Sequence, residues 1–279
     1  MKLRLRDDRV LTFPPMKVMG ILNLTPDSFY ARSRVPSYEE AVLRAKKMIE
    51  DGAEILDIGG ESSRPGSDPV SPDEEIRRIV PVIRELKRAF PETLLSVDTY
   101  HSATIEAALT SGADIANDIT ALADPAYAKI VSEAGAPVIL MHMQGEPKTM
   151  QENPHYEDVV EDVLDFLKER ADRALAAGIA KDRIMIDPGI GFGKFGKTYE
   201  QNMELIRNID RFHVLELPVL LAVSRKTFIG KALGLPDPKD RLEGTMAVSA
   251  WAATNGIEMI RVHDVLENTR IVRMMEEIL

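Results

Sequence analysis

The chain contains no cysteine, which excludes disulfides, thiolate metal sites and a catalytic thiol. No run approaches the roughly 18 apolar residues that a membrane span needs. The opening stretch "MKLRLRDDRVLTF" alternates charge with aliphatics and forms no apolar signal region. A soluble cytoplasmic protein with no membrane partner is therefore expected. A basic surplus is missing as well: the formal net charge is −10, which argues against nucleic acid as a partner. Any anionic ligand has to be met locally. What the chain does have is 279 residues, 44% of them apolar, ample for a substantial core.

One phrase keeps returning: "DGAEILDIGG" from Asp51, "SGADIANDI" from Ser111, "AGAPVILMHM" from Ala134, "AGIAKDRIMID" from Ala177 and "NGIEMIRVHD" from Asn255. Each is a glycine, a small step, then a strand-like run. Glycine just past a helix accepts the left-handed conformation that ends it, so each phrase reads as a helix stop feeding a strand. Helix starts are legible too. Ser37 with Glu40, and Ser71-Pro72 with Glu74, satisfy the capping-box pattern. The segment after Ser71 sets Ile76, Ile79, Val80, Ile83 and Leu86 on one face, with a kink expected at Pro81.

Strands are expected at Lys17–Leu24, Glu54–Gly59, Leu94–Asp98, Ile115–Asp118, Val138–Met143, Ile184–Asp187, Val219–Ser224 and Met259–His263. Eight strand–helix units are what a (β/α)8 TIM barrel requires, with Lys2–Phe13 left over as an N-terminal β-hairpin turning at Asp7-Asp8. No linker divides residues 1–279, so one domain is expected, with residues 1–15 as a hairpin capping the barrel. An open doubly wound sheet is the competing architecture, because periodicity does not distinguish closure from a flat edge.

The C-terminal edge of a barrel carries its chemistry. Here the strand ends offer Asn23, then Glu61 and Arg64 just beyond the second strand, Asp98, Asn117, His142, Asp187, Arg225-Lys226, and Arg261 with His263. A single Asp or Asn at such a place is ordinary turn or cap chemistry; a whole ring of them points to a polar site. One segment competes. "IMIDPGIGFGKFGKTYEQN" contains a match to the phosphate-loop pattern, Gly191 followed after four residues by Gly196-Lys197-Thr198. In a true phosphate loop the first glycine leaves the strand almost at once, whereas here Asp187-Pro188-Gly189-Ile190 intervenes and two phenylalanines occupy the loop. The match reads as accidental. Gly189, Gly191 and Gly193 are better suited to letting the backbone run close to a flat ligand.

The segments "GILNLTPDSF" from Gly20, "GGESSRPG" from Gly59, "SVDT" from Ser96, "NDI" from Asn117, "DPGIGFGK" from Asp187, "SRK" from Ser224 and "RVHDV" from Arg261 together resemble the ordered motif set of the dihydropteroate synthases. The resemblance covers essentially the whole chain after the hairpin. It implies condensation of 6-hydroxymethyl-7,8-dihydropterin pyrophosphate with p-aminobenzoate through an SN1-like step. It also implies a protein that sulfonamide analogues would target. By the same resemblance Asp98, Asn117, Asp187, Lys226 and Arg261 bind the pterin. Asn23, Arg261 and His263 meet the pyrophosphate, with Asn23 a ligand for Mg²⁺. Phe29, Ser63, Arg64, Pro65, Phe192 and Lys226 shape the p-aminobenzoate site. Asp98, Asp187, Lys226, Arg261 and His263 are then the catalytic set. A homodimer through helices near the end of the chain is implied as well, for which Met246, Val248, Trp251, Met274 and Met275 are candidates.

There are departures. After "TPDSF" the family usually continues with a polar residue, an Asp and two glycines; here Ala31 stands where the Asp is expected, and Ser63 replaces a more usual Thr. Asp27 with Arg32 or Arg34 could supply alternative contacts. Two other functions remain open on the residues alone. One is a pterin-dependent methyl carrier in the same type of barrel, and the other is a barrel that binds without turnover.

Overall fold

The structure, a computed structural model, describes residues 1–24, 38–61, 70–144, 155–191 and 196–279. Eight parallel strands follow one another around a sheet: β3 (Lys17–Asn23), β4 (Ile55–Gly59), β5 (Leu94–Asp98), β6 (Ile115–Asp118), β7 (Val138–Met141), β8 (Ile184–Asp187), β9 (Leu220–Leu221) and β10 (Met259–Val262). The ladder runs β8-β7-β6-β5-β4-β3-β10-β9. Its ends meet. Ile186 bridges Val219 in parallel, and the Ile186 N–H donates to the Pro218 carbonyl at 3.0 Å. That contact decides between the two expected architectures, since an open sheet would leave β8 and β9 as free edges.

The strands read as nearly continuous aliphatic runs because both faces are covered. Outward residues such as Val18, Leu56, Leu95, Ala116, Leu140, Ile186 and Ile260 pack in one cluster with the surrounding helices. Those helices are α1 (Tyr38–Glu50), α2 (Pro72–Ala89), α3 (Ser102–Thr110), α4 (Pro125–Glu133), α5 (Val159–Ala176), α6 (Tyr199–Arg207), α7 (Thr227–Leu233), α8 (Leu242–Thr254) and α9 (Val265–Ile278). The glycine of each repeated phrase has a positive φ: Gly52, Gly112, Gly135, Gly178 and Gly256. The helix stops therefore lie where the sequence puts them. Ser71 caps α2 by accepting from the Glu74 N–H, with Pro72 in the first turn; Ser37 lies outside the described residues.

Two expectations need correction. The buried stripe of α2 is Glu75, Ile79, Val82, Ile83 and Leu86, while Ile76 and Val80 are only half-buried. A carboxylate occupies a position that hydrophobicity alone would not choose, and Glu75 is accommodated by a 2.7 Å hydrogen bond from the Thr99 hydroxyl. The strands expected at Val138–Met143 and Val219–Ser224 are shorter, ending at Met141 and Leu221.

The hairpin forms as read, with β1 (Lys2–Arg4) antiparallel to β2 (Val10–Thr12) and Asp8 left-handed in the turn. Its place is the N-terminal end of the barrel. Leu3, Leu5 and Phe13 pack against the first inward residue of every strand: Met19, Ile55, Leu94, Ile115, Ile139, Met185, Leu220 and Met259. Arg183 fastens it by donating to the Leu5 carbonyl at 2.6 Å and to Asp8 at 3.0 Å. Arg6 reaches the carbonyls of Leu109 and Ala113 at 2.7 and 2.8 Å. The hairpin is thus a floor, and the opposite end is left for the site.

Candidate active site

Side chains alternate across a strand, so the residues that share the interior with the apolar floor lie two positions further along each strand. Those residues are Ile21, Asp57, Ser96, Asn117, Met141, Asp187, Ala222 and Arg261. The interior therefore changes from wholly apolar to largely polar within one layer. The next level is set by register: Asn23 pairs with Gly59, Gly59 with Asp98, and Asp98 with Asn117. Glycine at position 59 keeps this row open, because a Cβ there would lie 3.3 Å from the Asn23 Oδ1 and 3.8 Å from the Asp98 Cβ.

Arg261 organises the polar layer. Its Nε donates to Asp57 Oδ2 at 2.5 Å and its Nη2 to Asp98 Oδ2 at 2.7 Å. The Asn117 Nδ2 donates to the same Asp57 oxygen at 3.2 Å. Asp57 is fully buried, and its Oδ1 has no hydrogen-bond partner among the described residues. Burial works against the guanidinium charge, but the Asp57 and Asp98 carboxylates outweigh it and raise the pKa of Arg261 further. The planar fork of arginine suits this two-carboxylate arrangement, which a lysine could not reproduce.

Asp187 ends β8 and is buried. The Gly189 N–H donates to its Oδ1 at 2.7 Å, which fixes the carboxylate from the turn that follows β8. Burial raises its pKa above the usual carboxylate range, opposed by Lys226, the Gly189 N–H, Arg261 and Lys197. Lys226 approaches from the loop after β9 and donates to the Ile190 carbonyl. Asp98, Asn117, Asp187, Lys226 and Arg261, the five residues expected to read one ring system, thus surround one end of the barrel interior.

The phosphate-loop match dissolves in three dimensions. Thr198 is the N-cap of α6 in a capping box with Gln201. Lys197 is fully buried, with its Nζ 2.7 Å from the His142 Nδ1 and 3.0 Å from the Gly189 carbonyl. A lysine turned into the core has no phosphate to meet.

At the mouth, His263 follows β10 and is exposed; its ring Nδ1 lies 2.9 Å from the Ser224 hydroxyl. Arg225 turns away to pair with both oxygens of Asp264 at 2.7 Å. His142, counted among the polar strand ends, faces outward and packs edge-on against Phe166 of α5 at 4.8 Å. Ile119, Met141 and Met143 form an apolar wall. Asp57 was not among the candidates because it sits inside a strand; the available signal was a charge in the middle of "ILDIG", which burial forbids without a partner. Phe29, Ser63, Arg64, Pro65 and Phe192, as well as Asp27, Ala31, Arg32, Arg34 and Gly193, lie outside the described residues.

Asn23 is the residue expected to hold Mg²⁺. Among the described residues no group of three or more His, Asp or Glu side chains is placed to hold a metal. The half-buried Asn23 offers one neutral oxygen at the mouth, separated from Asp98 by Gly59 of the intervening strand. This fits the usual habit of Mg²⁺ in phosphate chemistry, with one or two protein oxygens and the remaining ligands from phosphate and water.

Comparison with known proteins places the chain among relatives of the same fold. Residues 19–263 match the family described as "Pterin binding enzyme". The chain is 44% identical over 259 residues to the dihydropteroate synthase of Escherichia coli (strain K12), covering 93% of this chain and 90% of that one. Among solved structures it resembles the dihydropteroate synthase of Yersinia pestis in a sulfonamide drug complex, with a TM-score of 0.92 and 41% identity over 100% of this chain and 98% of that one. It also resembles that of Xanthomonas albilineans with 4-aminobenzoic acid, with a TM-score of 0.91 and 40% identity at the same coverage.

Proposed function

We propose, for a chain that belongs to the dihydropteroate synthase family of pterin binding enzymes, that the polar layer under the barrel mouth reads the pterin and carries the reaction. The reaction is the condensation of 6-hydroxymethyl-7,8-dihydropterin pyrophosphate with p-aminobenzoate, giving 7,8-dihydropteroate and pyrophosphate. The observation that carries the assignment of roles is the single cluster Asp57–Arg261–Asp98 with Asn117 beside it and Asp187 across from it.

A pterin presents adjacent N–H donors on its amino-pyrimidinone edge. A buried carboxylate accepts two such donors at once, and an amide completes the mixed donor and acceptor pattern. Asp187 and Asn117 take these parts, and Asp57 supplies a further acceptor through its unpaired Oδ1. A site built this way rejects rings lacking the groups, because each unpaired buried polar atom costs about 1–3 kcal/mol. Lys226 leaves the Ile190 carbonyl for the carbonyl side of the pterin, and Met141 and Met143 pack against the ring face.

The bond that breaks joins the exocyclic methylene carbon to the pyrophosphate oxygen, and its electron pair leaves with the pyrophosphate. Positive charge then spreads into the pterin ring. Asp98 and Asp187 are fixed before the reaction, Asp98 by Arg261 and Asp187 by the Gly189 N–H, so their negative charge stabilises the cation without reorganisation. The amine lone pair of p-aminobenzoate closes the new C–N bond and the nitrogen loses a proton. Arg261 keeps Nη1 beyond its two carboxylate contacts, and with His263 it meets the departing anion. Asn23 would hold a Mg²⁺ ion, which would neutralise charge on the pyrophosphate. The p-aminobenzoate site belongs to Phe29, Ser63, Arg64, Pro65 and Phe192 together with Lys226.

The proposal extends to a cytoplasmic homodimer. Trp251 and Met274 of α8 and α9 are exposed apolar residues on neighbouring helices, and light scattering tests this directly by giving twice the mass of one chain. The site assignment is tested by pyrophosphate release with Mg²⁺, with and without p-aminobenzoate, alongside mass detection of dihydropteroate. Product is expected only with both substrates and is lost in Asp187→Ala. An Asp187→Ala variant that condenses at the wild-type rate would remove Asp187 from the site.

A further inference from the structure

The fully buried Lys197 and the outward-facing His142 are left unused by the mechanism above. Burying a lysine is expensive, and an apolar side chain of the same length would fill the same space at lower cost. What Lys197 holds is the turn immediately after Asp187. Its Nζ donates to the Gly189 carbonyl and, on the other side, meets the His142 Nδ1. The His142 backbone N–H in turn donates to the Asp187 carbonyl at 2.9 Å. The Gly189 N–H completes the circuit by donating to the Asp187 carboxylate.

Every part of this turn is fastened. Gly189 has φ +68° and lies so close to His142 that a Cβ would fall 1.9 Å from the His142 carbonyl oxygen. Lys226 takes the next carbonyl, that of Ile190. The Gly191 N–H donates to the Asn202 Oδ1 at 2.6 Å, and Asn202 itself donates to the Thr198 carbonyl. Two basic groups at 2.7 Å share one hydrogen bond only if one offers a lone pair, and burial holds the Lys197 pKa well below its ordinary value. Burial, then the Lys197 charge, hold the His142 pKa well below its ordinary value.

We infer that Lys197 and His142 are positioning residues for pterin recognition: through the Gly189 carbonyl they lock the turn whose N–H aims the Asp187 carboxylate into the barrel. The inference rests on the reading of Asp187 as a pterin contact. The device acts chiefly on the pterin, because of the p-aminobenzoate residues only Phe192 follows this turn in sequence and only Lys226 bonds to it, while Phe29, Ser63, Arg64 and Pro65 belong to other segments.

The test uses the full-length enzyme, with 6-hydroxymethylpterin as the calorimetric probe and steady-state kinetics on both substrates. Lys197→Met keeps the length and packing of the side chain and removes the donor. It is expected to raise the pterin Kd and the KM for the pterin pyrophosphate about 10- to 100-fold, as for a misplacement on the order of 1 Å, and to change the KM for p-aminobenzoate much less. His142→Leu removes the acceptor and should behave the same way, whereas His142→Asn, which returns an acceptor near the Nδ1 position, should restore pterin binding. Wild-type pterin affinity in Lys197→Met overturns the inference. If Lys197→Met does not fold, equal pterin affinity in His142→Leu and His142→Asn overturns it. Asp187→Asn separates the two levels. Lost pterin binding in Asp187→Asn with intact binding in Lys197→Met refutes the positioning role alone, and intact binding in Asp187→Asn refutes the reading beneath it.

Discussion

Asp57→Asn is the perturbation that tests the polar layer most sharply, because one fully buried oxygen serves two partners. Asp57 Oδ2 accepts from Arg261 at 2.5 Å and from Asn117 at 3.2 Å. Removing one member of a buried ion pair costs about 3–5 kcal/mol when the survivor is left uncompensated. Here Asp98 still holds the Nη2 arm of Arg261, and the new amide retains an oxygen, so a loss of about 2–3 kcal/mol is expected. For a chain of this size that lowers the Tm by about 3–5 °C. The second consequence is functional. The Asn117 amide is oriented because its Nδ2 is committed to a group that only accepts; an amide in place of the carboxylate also donates, and the orientation is no longer imposed. One mispaired contact to the pterin costs about 1–3 kcal/mol, which raises the pterin Kd about 5- to 150-fold. Thermal unfolding and calorimetry with 6-hydroxymethylpterin measure the two effects separately, and the KM for p-aminobenzoate should not move. A variant that loses stability as stated yet binds pterin like the wild type would refute the claim that Asp57 orients Asn117.

Ser71→Ala removes the hydroxyl that caps α2 and should lower stability by about 1 kcal/mol, seen as a small drop in Tm with kcat unchanged. Arg183→Met cuts the hairpin's ties to Leu5 and Asp8. Because this lies at the floor, Tm should fall while both KM values stay at wild-type levels; altered pterin KM would contradict the separation of floor from site. His213 lies 3.3 Å from Glu258. The hydrogen bond to Glu258 raises its pKa in the folded state. That stabilisation is fully present below the unfolded value of about 6.5 and is lost as pH rises through the folded pKa. The stability difference between wild type and His213→Gln, measured by denaturant unfolding, should therefore shrink between acidic and alkaline pH, and a difference that grows instead would reverse the assignment.

The barrel was legible because each helix stop and strand start is written locally. Gly52, Gly112, Gly135, Gly178 and Gly256 need left-handed backbone, and no other residue type meets that need as cheaply. The candidate site was legible where residues ended strands: Asn23, Asp98, Asn117 and Asp187 all close a strand or its last turn. Asp57 was not, since it lies two residues before the end of β4 and its partner Arg261 is 204 positions away. His142 was misleading in the other direction. Strand alternation turns it outward between the inward Met141 and Met143, so being near a strand end did not place it at the site. Lys197 was hidden by a pattern match, although the Thr198 and Gln201 pair on its C-terminal side is itself a capping-box signature.

The distribution of charge along the barrel axis fixes which way a substrate can lie. Leu3, Leu5 and Phe13 seal the floor with the first inward residues of the strands, so nothing enters from below. Above that floor stand Asp57, Asp98 and Asp187 against Arg261, a formal excess of two negative charges in a layer that is largely buried. Lys226 and His263 come from positions beyond β9 and β10, nearer the mouth. On the proposed assignment of these residues, a molecule that carries an anionic pyrophosphate at one end and a donor-rich ring at the other is expected to bind ring first. Inserted the other way, its phosphates would face three carboxylates at low effective dielectric, where like charges a few ångströms apart repel by several kcal/mol. The same gradient acts during the reaction. In the proposed reaction, as the C–O bond breaks, positive charge grows on the ring beside the carboxylates and negative charge grows toward the cations at the mouth, so the field that orients the substrate would also lower the barrier to its dissociation.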